Sequence, residues 1–295
     1  MSAAIQSSFP LSPPLTLPAG VSEDELHSFL RSVRPADAPE NEMENYCDQD
    51  WRRFVYTLGL VPQVRGKCLE LGANPYFTTI LLKQFTSLEL TLANYFTAGL
   101  PSESAQQVTY RDLRTSKPLT ELLNYYHFSV ESEPFPFAAG VFDVVLFCEI
   151  IEHLQLDPAA VLKEINRILK PGGTLILTTP NVSRLENVAK MIAGVNIYDP
   201  YSGYGAYGRH NREYNKHELY LLLSYCGFDV EVMFTADVHH NSAAGFFPVD
   251  LFAPLLRSRE HDLGQYIFVR CKASRPSGTK KPAWLYRSYP AQELE

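Results

Sequence analysis

Three groups of side chains in this sequence have the types and spacing that chemistry requires. Glu70 stands two residues before Gly72, in the run Cys68-Leu69-Glu70-Leu71-Gly72-Ala73-Asn74-Pro75-Tyr76. An acid there suits a cationic amino group, and glycine lets the backbone turn tightly and approach a ligand closely. Glu149, Glu152 and His153 follow the apolar run Phe142-Asp143-Val144-Val145-Leu146-Phe147. At spacings i, i+3 and i+4 they share one face of a predicted helix. His210 lies in a dense polar run, Gly208-Arg209-His210-Asn211-Arg212-Glu213-Tyr214. His153 and His210 are the candidate bases for taking a proton from a hydroxyl. Together with Glu149 and Glu152 they also form a possible divalent-metal set. His239 and His240 point to opposite sides of an extended segment, which argues against a shared ion.

Tyr198, Tyr201, Tyr204 and Tyr207 precede His210, with Gly203, Gly205 and Gly208 between them. Aromatic platforms on a flexible loop suit sugars or planar acceptors, and equally suit a lid packed on the core. The five cysteines, Cys47, Cys68, Cys148, Cys226 and Cys271, are scattered and free of CxxC spacing. They fit reduced thiols in the cytoplasm and give no support to a zinc cluster or a disulfide framework. A net charge of −7 disfavours nucleic acid as a partner. The basic cluster from Arg275 to Lys281 reads as a solvated tail. No apolar stretch approaches the roughly 20 residues that span a bilayer, and no secretory signal is visible. The oligomeric state is left open.

The elements that must position these groups alternate along the chain. Residues 1–20 are rich in Pro and Ser and are expected to be poorly ordered. Residues 22–33 read as a short helix, with Ser22 as N-cap and Glu25 completing a capping box. A second amphipathic helix over 42–58 is expected to lie against the domain that follows. Strands are predicted at 67–71, 88–92, 128–130, 142–147, 174–179, 229–234 and 264–271. Helices are predicted over 78–85, from Asp157 to the stop Lys170-Pro171-Gly172-Gly173, and from Asn215 to Gly227. The expected fold class is α/β: a Rossmann-like, seven-stranded, mostly parallel sheet with helices on both faces. It divides into a tail and helical extension over 1–62, a central domain over 63–273 and a tail over 274–295. Insertions at 182–214 and 236–262 fall at the carboxyl ends of strands, where open α/β sheets bind ligands.

Four motifs then fall in order: Glu70-Leu71-Gly72, Phe142-Asp143-Val144-Val145, Glu149-Ile150-Ile151-Glu152-His153 and Leu169-Lys170-Pro171-Gly172-Gly173. Through this series the sequence resembles the class I S-adenosylmethionine-dependent methyltransferases, over roughly residues 66–235. The resemblance implies S-adenosylmethionine as cofactor. It implies Glu70 and Gly72 at the methionine end, and Cys148 and Glu149 beside the methionine or the transferred methyl. Asn94 stands in place of the usual ribose-binding acid, and Glu131 is in register with the acid near the adenine amino group. Asn74 occupies the loop where a further glycine is usual, and Tyr46 is expected to close over the cofactor. The loop Asn74-Pro75-Tyr76 argues against a dinucleotide, whose pyrophosphate needs G-x-G-x-x-G at a helix start.

The run around His210 also resembles a segment of methyltransferases from polysaccharide gene clusters. That implies His210 as base, ahead of His153, with Tyr207, Arg212 and Tyr214 as acceptor contacts. The expected reaction is O-methylation of a small-molecule or glycan-related acceptor. The Glu-x-x-Glu-His string is similar to one that holds a divalent ion in small-RNA 2′-O-methyltransferases and some ubiquinone-pathway enzymes. Many relatives carry it without a metal, and none is assigned here. Metal-assisted RNA methylation is one rival, disfavoured by the acidic charge. A non-catalytic cofactor-binding or structural subunit is the other, raised by the altered glycine loop and Asn94.

Overall fold

The structure, a computed structural model, describes residues 9–203 and 205–295. α1 (Glu23–Arg31) starts at the expected capping box: Ser22 Oγ accepts from the Glu25 N–H, and the Glu25 carboxylate accepts from the Ser22 N–H. A two-residue strand, β1 (Arg34–Pro35), leads into α2 (Glu40–Leu60). α2 packs into the core through Phe54, Val55 and Leu58. Residues 9–20 are better fixed than their composition suggests, while residues 1–8 of the expected tail lie outside the described residues. Phe9 is buried against the cluster of Leu185 and Phe252, and Leu15 and Leu17 pack on the main core. Ser12 Oγ accepts from the Asp237 N–H, and the Pro13 carbonyl accepts from the Tyr56 hydroxyl. Apolar residues between the prolines fasten this stretch.

The chain continues through β2 (Arg65–Leu71), α3 (Phe77–Phe85), β3 (Ser87–Asn94), β4 (Glu103–Arg111), β5 (Pro118–His127) and β6 (Phe142–Cys148). Then come α4 (Pro158–Ile168), β7 (Leu169–Pro180), α5 (Leu185–Ile192), α6 (Lys216–Tyr225), β8 (Phe228–Ala236), α7 (Val249–Phe252) and β9 (Tyr266–Ala273). The sheet has nine strands in the order β1-β4-β5-β3-β2-β6-β7-β9-β8. Its centre, from β5 to β7, is parallel; both flanks are antiparallel. The Rossmann-like α/β class holds, while the strand count rises from seven and only the centre is parallel.

The third strand differs most from expectation. It is β5, ending at His127, and residues 128–130 form the loop after it. β4 and β5 are a long antiparallel hairpin at the sheet edge, with Leu122 of β5 facing solvent. A strand exposed on one face lacks the apolar run that marks a buried one. The insertions carry α5 and α7, which pack together through Leu185, Ala189 and Phe252. No helix among the described residues is long and apolar enough to cross a membrane.

The carboxyl-terminal stretch is docked, contrary to the solvated tail expected. Asp157 caps α4 by accepting from the Ala160 N–H, and it also accepts from the Tyr286 hydroxyl at 2.6 Å. Tyr286 in turn accepts from the Ala159 N–H, and Lys281 pairs with Asp157. The Tyr286 ring is buried in the core cluster beneath α4. Tyr286→Ala should therefore lower stability by about 3 kcal/mol, the range for emptying a buried aromatic site. Urea unfolding measures this; an unchanged midpoint would mean the tail is free.

Candidate active site

β2 lies between β3 and β6, so the chain departs in opposite directions from its carboxyl end and leaves a crevice there. Gly72 makes the turn with φ +67°, and a Cβ on it would meet Ile150 Cδ1 at 2.9 Å. The loop beyond is tied down from beneath by Asn94. Asn94 Oδ1 accepts from the Asn74 N–H at 2.8 Å, and its Nδ2 donates to the Tyr76 hydroxyl at 3.1 Å. Gln106 of β4 completes the network, accepting from Tyr76 and from Asn74 Nδ2. Asparagine at the end of β3 thus serves the loop, with both polar atoms engaged.

Two adjoining cavities of about 180 and 200 Å³ fill the crevice. The first is bounded by Asn94, Tyr95, Phe128, Glu131, Ile150 and Tyr207. Tyr46, Arg53, Glu70, Asn74, Cys148 and Glu149 bound the second. Leu71, Gly72, Glu149 and Ile150 line both, so the two are lobes of one site. One lobe offers apolar and aromatic walls for a flat ring. The other offers a buried acid and a buried cation, which suit an amino-acid end. S-adenosylmethionine fits that division. A pyrophosphate does not, because Asn74, Pro75 and Tyr76 stand where a glycine-rich helix start would cradle it.

Burial pushes the Glu70 carboxyl up to about 8, with the 2.6 Å hydrogen bond from Thr79 Oγ1 opposing. It also raises the Cys148 thiol to about 12, which removes it as a nucleophile. Glu149 has φ 55°, a left-handed backbone rare outside glycine. Its Oε1 accepts from Thr178 Oγ1 at 2.7 Å, and burial raises its carboxyl to about 8 against the pull of Arg53. Glu131 accepts from the N–H groups of Gln155, Leu156 and Asp157, holding the loop ahead of α4.

Glu149, Glu152 and His153 do not share a helix face. Only a single 3-10 turn, Ile151–His153, follows β6, and the left-handed Glu149 stands outside it. The tertiary fold nevertheless gathers Glu152, His153 and His210. The Asn211 and Arg212 N–H groups donate to the Glu152 carbonyl, and Asn211 Nδ2 donates to the His153 carbonyl. One ligand atom from each of the three lies within 4.8 Å of the others. Glu152 is fully buried: Oε2 accepts from Thr179 Oγ1 at 3.0 Å, while Oε1 has no hydrogen-bond partner. His153 Nδ1 donates to the Arg209 carbonyl at 2.9 Å, which leaves Nε2 with its lone pair. His210 Nδ1 is 2.8 Å from Glu213 Oε1, and the other Glu213 oxygen pairs with Arg184. Burial and the neighbouring His210 lower His153. Burial would lower His210 too, but the Glu213 hydrogen bond and the Glu152 charge outweigh it and raise it.

Tyr207 lines the first lobe and meets Tyr95 edge-on at 6.3 Å. The other two expected acceptor contacts face elsewhere. Tyr214 is 1% exposed and belongs to the core packed with Leu219 and Leu222. The Arg212 guanidinium is drawn to Glu218 in the first turn of α6. Tyr198 and Tyr201 are exposed, with Arg209 over the Tyr201 ring, and Tyr204 lies outside the described residues. His239 pairs with Gln265, apart from these groups. Arg53 and Glu213 were not singled out from the sequence. Glu213 was legible as an acid three residues after His210; Arg53 is one of several charges on an amphipathic helix.

A family described as methyltransferase domain matches residues 43–232, and the chain belongs to it, among the class I S-adenosylmethionine-dependent methyltransferases. It is 26% identical over 161 residues to a tRNA U34 carboxymethyltransferase of Campylobacter concisus, covering 53% of this chain and 52% of that one. To a ubiquinone biosynthesis O-methyltransferase of Psychrobacter cryohalolentis it is 33% identical over 96 residues, 32% of each chain. The chain thus spans about half the length, or less, of these relatives. Among solved structures it is similar to a methyltransferase in complex with the Haloferax volcanii Trm112 methyltransferase activator. That likeness has TM-score 0.51 and 18% identity, covering 80% of this chain and 94% of the other.

A carboxyl raised to about 8 at Glu70 keeps its proton in the folded state after the unfolded chain has lost it near 4.5. The folded state therefore binds more protons between those values, and stability must fall as pH rises through that window. The decline is at most about 1.4 kcal/mol per pH unit for this group. Urea unfolding at pH 5 to 8 should show the wild type losing stability relative to Glu70→Gln. A gap that stays constant across the window would contradict a buried neutral acid.

Proposed function

We propose that this methyltransferase transfers a methyl group to a hydroxyl oxygen of a small-molecule or glycan-related acceptor, in the cytoplasm, with His210 as general base. The reading is carried by the pair His210 Nδ1 and Glu213 Oε1 at 2.8 Å. The carboxylate fixes the hydrogen on Nδ1, so Nε2 is free to take the acceptor's proton. Glu213 then stabilises the imidazolium, and Arg184 keeps Glu213 in place. Bound S-adenosylmethionine supplies an electrophilic methyl on a sulfonium whose charge vanishes on transfer. Glu70, Asn74, Cys148 and Glu149 line the lobe read as receiving its methionine end, with Tyr46 covering it. Asn94 and Glu131 border the lobe read as receiving the nucleoside. Tyr95 and Tyr207 make an aromatic rim that suits a planar or sugar acceptor. A net charge of −7 weighs against RNA.

A divalent cation is a second reading, favoured by the orphaned, fully buried Glu152 Oε1. Glu152 Oε1, His153 Nε2 and His210 Nε2 would hold it. Each imidazole has its other nitrogen tied to a carbonyl or carboxylate, as metal-ligating histidines do. Such an ion would neutralise Glu152 and polarise an acceptor hydroxyl.

Methyl transfer to a panel of phenols and sugars tests both. His210→Gln should lower kcat by roughly 100- to 10,000-fold while S-adenosylmethionine still binds, and Glu213→Gln should lower it less. Activity lost to EDTA and restored by Mn²⁺ or Zn²⁺ would favour the metal reading. A fully active His210→Gln enzyme would sink both.

A further inference from the structure

Three arginines stand around the segment that carries His210, and two of them are neutralised within the protein. Arg184 pairs with Glu213, and Arg212 pairs with Glu218. Arg209 is the third, and it is half-buried. Its Nε donates to Asn211 Oδ1 at 3.3 Å, and its guanidinium carbon lies 4.9 Å from the centre of the Tyr201 ring. Among the described residues neither Nη nitrogen has a hydrogen-bonding or ion-pair partner. Both Nη groups are therefore open to a ligand that accepts hydrogen bonds.

The same group is held beside the candidate base. Asn211 accepts from Arg209 Nε and donates through Nδ2 to the His153 and Ala206 carbonyls at 2.8 and 2.9 Å. One side-chain amide thus links the guanidinium to His153, whose ring lies 5.0 Å from that of His210. An arginine that moves freely loses rotamer entropy when it takes a ligand. Here the Nε bond and the Tyr201 face hold the planar fork before any ligand arrives. Charge limits what that ligand can be. The His210 N–H donates to Asp199 Oδ2 at 3.0 Å, and buried Glu152 Oε1 stands 3.8 Å from His153 Nε2. Carboxyl groups so close would repel a dianionic phosphate. A single carboxylate matches the open guanidinium and can take two parallel hydrogen bonds from it.

We propose that Arg209 selects the acceptor by binding a carboxylate carried near the hydroxyl that is methylated. The substrate class is then a hydroxy acid, either an aromatic one or a sugar bearing a uronic acid. The inference rests on the hydroxyl-transfer reading above and deepens it. The carboxylate is an anchor and is not itself methylated, while His210 takes the proton of the hydroxyl. Held at Arg209 and at His210, the acceptor is fixed at two points, which aligns its oxygen for in-line attack on the methyl.

Methyl transfer by the full chain to matched acceptors tests this: hydroxybenzoates and glucuronosides, the amide of each, and a phosphorylated phenol or sugar beside them. For whichever pair is turned over, the wild type should show kcat/KM roughly 10- to 100-fold higher for the acid than for its amide, with the difference in KM, as loss of a hydrogen bond to a charged group requires. Arg209→Gln should abolish that preference, and Arg209→Lys should keep part of it. A preference that survives in Arg209→Gln, with acid and amide lowered alike, overturns the role and leaves only a loop pin. Equal turnover of acid and amide by the wild type overturns it even if the variants do not fold. So does a phosphate preferred to the carboxylate, or a methyl found on the carboxylate oxygen. Transfer to none of these hydroxyls, by enzyme that binds S-adenosylhomocysteine, brings down the hydroxyl-transfer reading and this inference with it.

Discussion

Everything in this molecule depends on the reversal of strand order at β2. The chain runs outward to β3 on one side and to β6 on the other, so the loops after these strands must diverge. No regular hydrogen bonding can close the gap they leave. Side chains define it instead, and Gly72 meets Ile150 across it so closely that a single methyl group on the glycine would collide. The parallel centre of the sheet is buried between two apolar cores, which gives a rigid base to loops that must hold charged groups in place.

Charge burial is the second organising fact. Glu70, Arg53 and Glu152 are each almost wholly enclosed, where isolated charges are costly. Glu70 responds by staying neutral, and Arg53 by leaning on Asp50, Tyr46 and aromatic faces. Glu152 leaves one oxygen without a hydrogen bond. Arg53 and Glu70 line the crevice, and Glu152 stands next to His153, which also lines it, where a core selected for stability alone would carry apolar side chains. The segment carrying His210 is clipped onto the end of β6 by two backbone hydrogen bonds to the Glu152 carbonyl. The two halves of the candidate chemistry are thereby joined across more than fifty residues of sequence.

How much of this the residues announce depends on how local the cause is. β6 and α4 are legible because an unbroken apolar run and an Asp-Pro helix start are local signals. β5 is not, since half of it faces water and its partner β4 is equally polar. The helix expected over Glu149 to His153 fails at one residue: Glu149 takes a positive φ, and no residue type there signals it. Tyr214 and Arg212 look like neighbours of His210 in sequence, yet one fills the core and the other turns to α6. The inward face of α2 could not single out Arg53, because periodicity marks a face and not which charge on it will be enclosed.

In the reading proposed above, one crevice, from α2 through Gly72 to the loop after β5, receives the cofactor along its whole length. Amide hydrogen exchange of the full chain, with and without S-adenosylhomocysteine, tests it directly. Slower exchange is expected in residues 46–54, 71–77, 128–131 and 149–153 together, with the outer hairpin β4–β5 unchanged away from Gln106. Protection confined to another surface, or absent from α2 and the glycine loop under saturating ligand, would contradict it.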